Sequence, residues 1–232
     1  MADVTPRILI VITSHAQLGD TGEKTGFWLE ELASPYYVFV DAGADVTLAS
    51  IQGGLPPLDP KSDLPDSQTE STRRFLADQQ AVEKLRETLE IAHLSASDYE
   101  AIFLPGGHGT MWDFPTSADL THLIEAFDQQ QKVIAAVCHA PAALVPVQGQ
   151  SGEPLVKGRR VTGFTNSEEK AVQLEAVVPF LLETRLRELG GDFQPAADFA
   201  AHIQQDGNLV TGQNPASSGP AAAAVLSLLT AK

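Results

Sequence analysis

The sequence predicts an α/β fold, a three-layer sandwich in which helices cover both faces of a mainly parallel central sheet. Short apolar runs of strand length alternate with helical patterns along the chain. Most of these runs are continuously apolar, as expected for parallel strands that are buried on both faces. The 232 residues suffice for one substantial core, so we expect a single domain over residues 1–232.

Five apolar runs are predicted to be the strands of that sheet. They are RILIVIT at 7–13, DVTLAS at 45–50, AIFLPGG at 101–107, KVIAAV at 132–137 and NLVTG at 208–212. Helical patterns predict helices at 26–43, 80–94, 117–131, 168–191 and 221–232. Right-handed crossovers through the helices would make consecutive strands parallel.

Residues 52–75 interrupt this alternation. The segment QGGLPPLDPKSDLPDSQTESTRRF is rich in Pro, Asp and Ser and shows no period. We interpret it as a loop-like insertion that lies over the domain.

Charge and composition exclude several classes of function. The formal net charge is −15, so phosphate backbones and anionic lipid surfaces would repel the protein, and we expect neither nucleic acid nor membrane as a partner. The apolar run near the N-terminus is too short for a signal peptide or a membrane span, and a single cysteine cannot form an internal disulfide. The expected location is the cytoplasm.

Cys138, the only cysteine, is predicted to be a nucleophile on a sharp strand-to-helix turn. It directly follows the strand predicted at 132–137, and the working site of an open α/β sheet lies at such strand ends. The residues two before and two after it, Ala136 and Ala140, are small, as this turn requires. The alternative is a buried structural cysteine. The neighbouring His139 and the dipole of the following helix favour a reactive thiol with a lowered pKa.

Two further segments carry candidate chemistry. The PGG turn at 105–107 can expose backbone N–H groups to an oxyanion, although the same pattern also occurs in plain turns. In the helix predicted at 26–43, Glu31 falls on the apolar face and Glu30 on the polar face. A buried Glu31 would be protonated or paired and could exchange protons with a thiol, whereas a glutamate at the helix edge would reach water.

These motifs resemble the ThiJ/PfpI superfamily, with its flavodoxin-like, class I glutamine amidotransferase-like fold, and within it the branch of heat-shock chaperones and glyoxalase III enzymes. The resemblance covers nearly the whole chain. It rests on EKTGFWLEEL, LPGGHGTMWDFP, AAVCHAP, VTGFTNSEE and LVTGQNPASS, which occur in that order.

The resemblance implies catalytic roles for four residues. Cys138 matches the nucleophile, His139 the histidine of a catalytic triad, and Glu31 an acid of the pocket. The acid of the triad follows GFT at a fixed short distance, which favours Glu169 and leaves the neighbouring Glu168 open.

The resemblance also implies the surroundings of the nucleophile. Gly107 and the backbone of His139 match oxyanion donors, and His108 and Trp28 are expected in the substrate pocket. Ala140 departs from the branch, which usually has glycine there, and its methyl group would tighten the pocket.

No metal or other cofactor is expected. The glycines of LPGGHG lack the spacing and the lysine of a phosphate loop. The histidines at 15, 93, 108, 122 and 202 are scattered and lack the spacing of metal ligands.

The function implied by the resemblance is a cofactor-free, glutathione-independent glyoxalase, a lyase of the lactate dehydratase class. It would convert methylglyoxal, a 2-oxoaldehyde, to lactate through a hemithioacetal of Cys138. Relatives of this branch are commonly homodimers. One alternative is a holdase chaperone whose thiol senses oxidation, which the modest apolar content of residues 52–75 disfavours. The other is a thiol hydrolase or protease with the same nucleophile.

Overall fold

Nine strands run through residues 5–230, the part of the chain that the computed structural model describes. They are β1 (Arg7–Ile12), β2 (Asp45–Ser50), β3 (Leu89–Glu90), β4 (Ala101–Leu104), β5 (Val133–Val137), β6 (Arg160–Val161), β7 (Asp192–Phe193), β8 (Ile203–Asp206) and β9 (Leu209–Gly212). Seven form one sheet in the order β3-β2-β1-β4-β5-β9-β8, and β6 pairs with β7 separately. Only the β8–β9 pairing is antiparallel among these strands, which confirms the mainly parallel sheet.

Eight α-helices accompany the strands over the same residues. They are α1 (Leu29–Asp41), α2 (Glu70–Ala77), α3 (Gln79–Arg86), α4 (Thr110–Asp113), α5 (Ala118–Gln129), α6 (Asn166–Ala171), α7 (Leu182–Glu188) and α8 (Ser218–Thr230). None of the helices in the described range is long and apolar enough to cross a membrane.

Side chains of the central strands form two cores on opposite faces of the sheet. In β1, Leu9 and Val11 belong to one core, whereas Ile8, Ile10 and Ile12 belong to the other, because successive side chains of a strand alternate in direction. Helix α5 packs into the first core, and α1 and α8 pack into the second. The result is the predicted three-layer sandwich.

Parallel pairing brings the carboxyl ends of the central strands to one edge. Leu104 at the end of β4 lies beside Ala136, and Val137 at the end of β5 lies beside Gly212. The turns that follow β4, β5 and β9 therefore begin close together.

Two predicted helices differ from the observed ones. The helix expected at 80–94 ends at Arg86, and the helix expected at 168–191 is divided into α6 and α7. Pro179 lies in the gap between them, and a residue before proline is disfavoured in helical conformation.

Residues 52–75 are not a loop throughout. The last six of them begin α2, which starts with a capping box between Thr69 and Thr72. Phe75 of this helix is fully buried. The edge strand β8 also lies outside the prediction, although the Gly-Asn pair at 207–208 that joins it to β9 is a two-residue hairpin signal.

Candidate active site

Cys138 occupies the sharp turn predicted after β5. Its φ is +58°, which is uncommon for a residue other than glycine. Its N–H donates to the Gly212 carbonyl (2.9 Å), and its carbonyl accepts from the Phe164 N–H (2.8 Å). Both neighbouring segments thus hold the turn. The side chain is buried, and the residue is only 4% exposed.

A line of hydrogen bonds leads from Cys138 to Glu169. The Sγ atom lies 3.2 Å from His139 Nδ1, and His139 Nε2 lies 2.7 Å from Glu169 Oε2. The other carboxylate oxygen, Oε1, lies 2.7 Å from His108 Nε2. One glutamate therefore joins two histidines, and one of these contacts the thiol.

The charge of Glu169 determines which ring nitrogen of each imidazole carries a proton toward it. Burial alone would raise its pKa, but the two histidines and their hydrogen bonds lower it well below the usual range. An ionised carboxylate only accepts, so each Nε2 donates to it. With Nε2 bound to Glu169, Nδ1 is the ring nitrogen of His139 that faces the thiol. Burial, and to a smaller extent the neighbouring His139, lowers the pKa of His108.

Only one of the two adjacent glutamates faces the histidines. Glu168 instead accepts hydrogen bonds from Thr165, Gln213 and Asn214. Sequence alone left the pair open, and the geometry selects Glu169 as the residue in contact with His139.

Glu31 lies on the other side of the thiol. It is fully buried in the first turn of α1, and its Oε2 accepts the Gly106 N–H (2.7 Å). Its Oε1 has no hydrogen-bond partner among the described residues. Burial raises its pKa from 4.5 to about 8, against the opposing effect of the nearby Cys138 thiol and the Gly106 N–H. Glu31 is therefore mostly protonated near neutral pH.

The inward direction of Glu31 confirms the helical-face argument. Glu30 is partly exposed and accepts a hydrogen bond from the Thr69 hydroxyl.

The predicted lowering of the Cys138 pKa is wrong. Burial and the charge of Glu31 raise the pKa of the thiol. The helix that follows, Ala140–Leu144, is a five-residue 3₁₀-helix, so little dipole opposes the burial. The resting thiol is therefore neutral, and His139 Nδ1 lies 3.2 Å from its sulfur.

The PGG turn after β4 accepts only glycine at two positions. A Cβ atom at Gly106 would lie 2.5 Å from Glu31 Oε2, and one at Gly107 would lie 2.3 Å from the Gly26 carbonyl oxygen. Gly107 also has a φ of +107°. Within residues 5–230, neither the Gly107 N–H nor the His139 N–H donates a hydrogen bond, so both can serve an oxyanion.

Trp28 and His108 flank this turn. Trp28 is partly exposed, and its backbone N–H donates to the Gly106 carbonyl (3.1 Å), which ties the start of α1 to the turn. The His108 ring lies 4.0 Å from that of His139. Their contact with a substrate stays a prediction.

Sequence reasoning missed the aromatic residues of the site. The Phe164 ring lies 4.3 Å from the His139 ring, and the Phe199 ring lies 6.2 Å from that of Phe164. Phe164 belongs to the GFT motif, which was used only to locate the acid. Nothing in the sequence around Phe199 indicates its place.

The histidines are less scattered in space than in sequence. His108, His139 and Glu169 have ligand atoms within 4.8 Å of one another, a spacing that could hold a metal ion. All three ligand atoms already hydrogen-bond within the group. That no metal is required stays a prediction.

Comparisons with known proteins agree with this fold. The chain is 28% identical to the glutathione-independent glyoxalase HSP31 of Saccharomyces cerevisiae over 221 residues, which cover 91% of this chain and 93% of that one. The crystal structure of glyoxalase III from Candida albicans has a TM-score of 0.89 and 27% identity, covering 96% of this chain and 97% of that one. The Rapid Encystment Protein 24 KDa of Francisella tularensis has a TM-score of 0.93 and 37% identity, covering 97% and 99%.

A family model also matches most of the chain. The model described as DJ-1/PfpI family matches residues 24–227, which include the turn of Cys138, both neighbouring histidines and the two buried acids. The chain therefore belongs to the DJ-1/PfpI family.

Proposed function

We propose that this protein is a cofactor-free, glutathione-independent glyoxalase that converts methylglyoxal to lactate. The observation that carries the proposal is the Cys138 thiol, held between a proton acceptor, His139 Nδ1 at 3.2 Å, and the protonated acid Glu31. The names of the yeast and Candida relatives support an enzyme with a small aldehyde substrate.

The first step is addition of the thiol to the aldehyde carbon. His139 Nδ1 takes the proton from Sγ as the S–C bond forms, so a free thiolate does not have to accumulate in a buried site. Glu169 holds the His139 ring and stabilises the imidazolium. The N–H groups of Gly107 and His139 stabilise the developing oxyanion, which His139 then protonates to give the hemithioacetal.

The second step moves hydrogen from the first carbon to the second. A base removes the C–H proton of the hemithioacetal while the ketone oxygen is protonated, which gives an enediol. Protonation of the second carbon and loss of the O–H proton from the first give a thioester of lactate. Glu31 suits this transfer because a carboxyl with a pKa of about 8 can both donate and accept near neutral pH.

Hydrolysis of the thioester completes the cycle. Water activated by His139 attacks the thioester carbon, the C–S bond breaks, and the proton returns to Sγ. The overall reaction adds one water to methylglyoxal without an external oxidant or reductant. The chemistry uses only side chains and water, so we propose no metal or organic cofactor. The 4% exposure of Cys138 favours a small 2-oxoaldehyde.

The test is lactate formation from methylglyoxal by the purified protein without glutathione. We expect enzymatic detection of lactate with the wild type, in the presence of a metal chelator, and none with Cys138→Ala. Absence of lactate from the folded wild type would contradict the proposal.

A holdase chaperone is a second candidate, favoured by one observation. Residues 52–75 expose more apolar surface than the sequence indicated, since Leu55 is 67% exposed and Leu64 54% exposed. Leu55 also lines a groove of about 560 Å³ together with Leu58, Leu76 and neighbouring prolines. Suppression of aggregation of a heated client by Cys138→Ala would support this second function. Its loss in Leu55→Ser, beside unchanged lactate formation, would assign it to the groove.

The homodimer implied by the resemblance, and the cytoplasmic location expected from the sequence, belong to this proposal. The thiol hydrolase alternative uses the same nucleophile, and a peptide or ester substrate would have to reach a thiol that is almost fully buried. Sedimentation velocity measures the assembly, and a monomer at micromolar concentration would contradict the dimer.

A further inference from the structure

Glu168 has more hydrogen-bond partners than the cap of its helix requires. The side chain is fully buried. Its Oε2 accepts the Thr165 N–H (2.9 Å) and the Thr165 hydroxyl (3.1 Å), which completes a capping box at the start of α6. Its Oε1 accepts three more donors: the Phe199 N–H (2.7 Å), Asn214 Nδ2 (2.9 Å) and Gln213 Nε2 (3.1 Å).

These donors come from two segments distant in sequence. Gln213 and Asn214 follow β9 in the motif LVTGQNPASS, and both also bind the segment 194–202. Gln213 Oε1 accepts the Ala196 N–H (2.8 Å), and Asn214 Nδ2 donates to the Ala200 carbonyl (2.8 Å). One buried carboxylate thus joins α6, the end of β9 and the segment that carries Phe199.

Phe199 has a left-handed backbone conformation, which is unfavourable for a residue with a bulky side chain. Its φ is +58°, in the left-handed region, and its ring is exposed, at 49% for the residue. Such a residue persists only where its surroundings fix it. Here its N–H is fixed by Glu168 Oε1.

The Phe199 ring covers the aromatic stack of the candidate active site. It lies edge-on to Phe164, at 6.2 Å and 61°. Phe164 is only 5% exposed and packs on His139 at 4.3 Å. The stack therefore leads from the surface to the imidazole that contacts the thiol.

We propose that Glu168 is a positioning residue of this site. It holds the Phe199 segment so that Phe164 stays packed on His139, and its cap on α6 keeps Glu169 between the two histidines. Glu168 touches no reacting atom in this role. This inference rests on the proposed function only where it is tested by the rate of lactate formation.

The first test replaces the carboxylate. We expect Glu168→Ala to lower kcat about 10- to 100-fold with little change in KM, because small displacements of catalytic groups cost rate and not binding. Glu168→Gln keeps one accepting oxygen and should recover part of the rate. Glu175→Gln, at an exposed position beyond the end of α6, is the matched control and should be unchanged. Wild-type kcat in Glu168→Ala would overturn the proposal.

A second variant covers the case in which Glu168→Ala does not fold. Phe199→Gly keeps the N–H, suits the left-handed φ and removes the ring, so its melting temperature should equal or exceed that of the wild type. We nevertheless expect kcat to fall, because the cover on Phe164 is lost. A stable Phe199→Gly with normal kcat would overturn the role of the stack.

A third measurement does not depend on glyoxalase activity. The rate of Cys138 alkylation by iodoacetamide is measured against pH, with mass spectrometry to confirm the site. We expect the profile of Glu168→Ala, or of Phe199→Gly, to be displaced from that of the wild type, and that of Glu175→Gln to coincide with it. If the wild type forms no lactate but the alkylation profiles of these variants are displaced from its own, only the proposed function is contradicted. Profiles that all coincide contradict the positioning role alone.

Discussion

Two buried glutamates flank the Cys138–His139 pair, and the fold gives them opposite protonation. Glu31 is fully buried, with one backbone donor and an oxygen that has no partner among the described residues, so burial raises its pKa to about 8. Glu169 is also buried, but two histidines contact its two oxygens, and its pKa is lowered. The same side chain is therefore a neutral acid on one side of the thiol and an anion on the other.

This difference shows how one site holds an acid and a base together near neutral pH. The anion binds His139 Nε2–H and so directs Nδ1 toward the thiol, and the neutral acid can donate a proton without adding charge beside the sulfur. The protonation state of each carboxyl group is set by the groups in direct contact with it. The following predictions test that dependence.

The largest effect on lactate formation is expected from removal of the Cys138 thiol, which lies between Glu31 and Glu169. Cys138→Ala should abolish lactate formation, because no covalent intermediate can form. The melting temperature should stay close to that of the wild type, since alanine is smaller and also has to adopt the left-handed turn. Lactate assays and thermal unfolding on one preparation measure both. Turnover near the wild-type rate would contradict the nucleophile.

The next largest effect is expected from Glu169→Gln. The amide can donate as well as accept, so it no longer requires Nε2–H on both histidines, and His139 can present the wrong tautomer to the thiol. We expect kcat to fall by about 10³- to 10⁴-fold. Retention of more than a tenth of the wild-type kcat would show that the carboxylate does not set the tautomer.

A smaller loss is expected from Glu31→Gln. Glutamine preserves the shape and the bond to the Gly106 N–H but cannot transfer a proton, which should cost about 10²- to 10³-fold in kcat. Glu30→Gln, one residue earlier and partly exposed, is the matched control and should keep most of the activity. Equal losses in the two variants would contradict the separate role of Glu31.

The smallest effect is expected on the free energy of unfolding. Glu31 and Glu169 change it over different pH ranges. Native Glu31 keeps a proton that the unfolded chain releases above about pH 4.5, so its contribution to stability declines as pH rises from 4.5 to about 8. Glu169 acts in the opposite sense, and its contribution declines as pH falls below 4.5. Between pH 6 and 8.5, the unfolding free energy of the wild type should decline more than that of Glu31→Gln. Parallel curves would contradict the raised pKa.

The fold could be predicted largely from local pattern. The five predicted strands and the sandwich follow from continuous apolar runs between helical periods, and these runs are the buried centre of the sheet. Helix α2 was missed because only Thr72 and Phe75 of its eight residues are buried, which leaves little periodicity to detect. The gap between α6 and α7 contains Pro179, a residue that is disfavoured inside a helix although the apolar pattern around it is helical.

The site was predictable in its residues and not in its electrostatics. Helical periodicity placed Glu31 inward, and the resemblance to a known family brought Cys138 and His139 together with the pair Glu168 and Glu169. Sequence could not show which of the two glutamates faces His139, because both are buried in one turn of α6. The thiol pKa was predicted in the wrong direction because adjacent residues reveal a neighbouring histidine but not the depth of burial.

The most direct measurement is the titration of the two carboxyl groups themselves. Carbon-13 NMR of protein labelled at the glutamate side-chain carboxyl carbons, compared among the wild type, Glu31→Gln and Glu169→Gln, identifies each resonance by its loss. We expect the Glu31 resonance to titrate near pH 8 and the Glu169 resonance to stay in its ionised position to well below pH 4.5. A Glu31 resonance that titrates near pH 4.5, together with the exposed glutamates, would contradict the opposite protonation of the two acids.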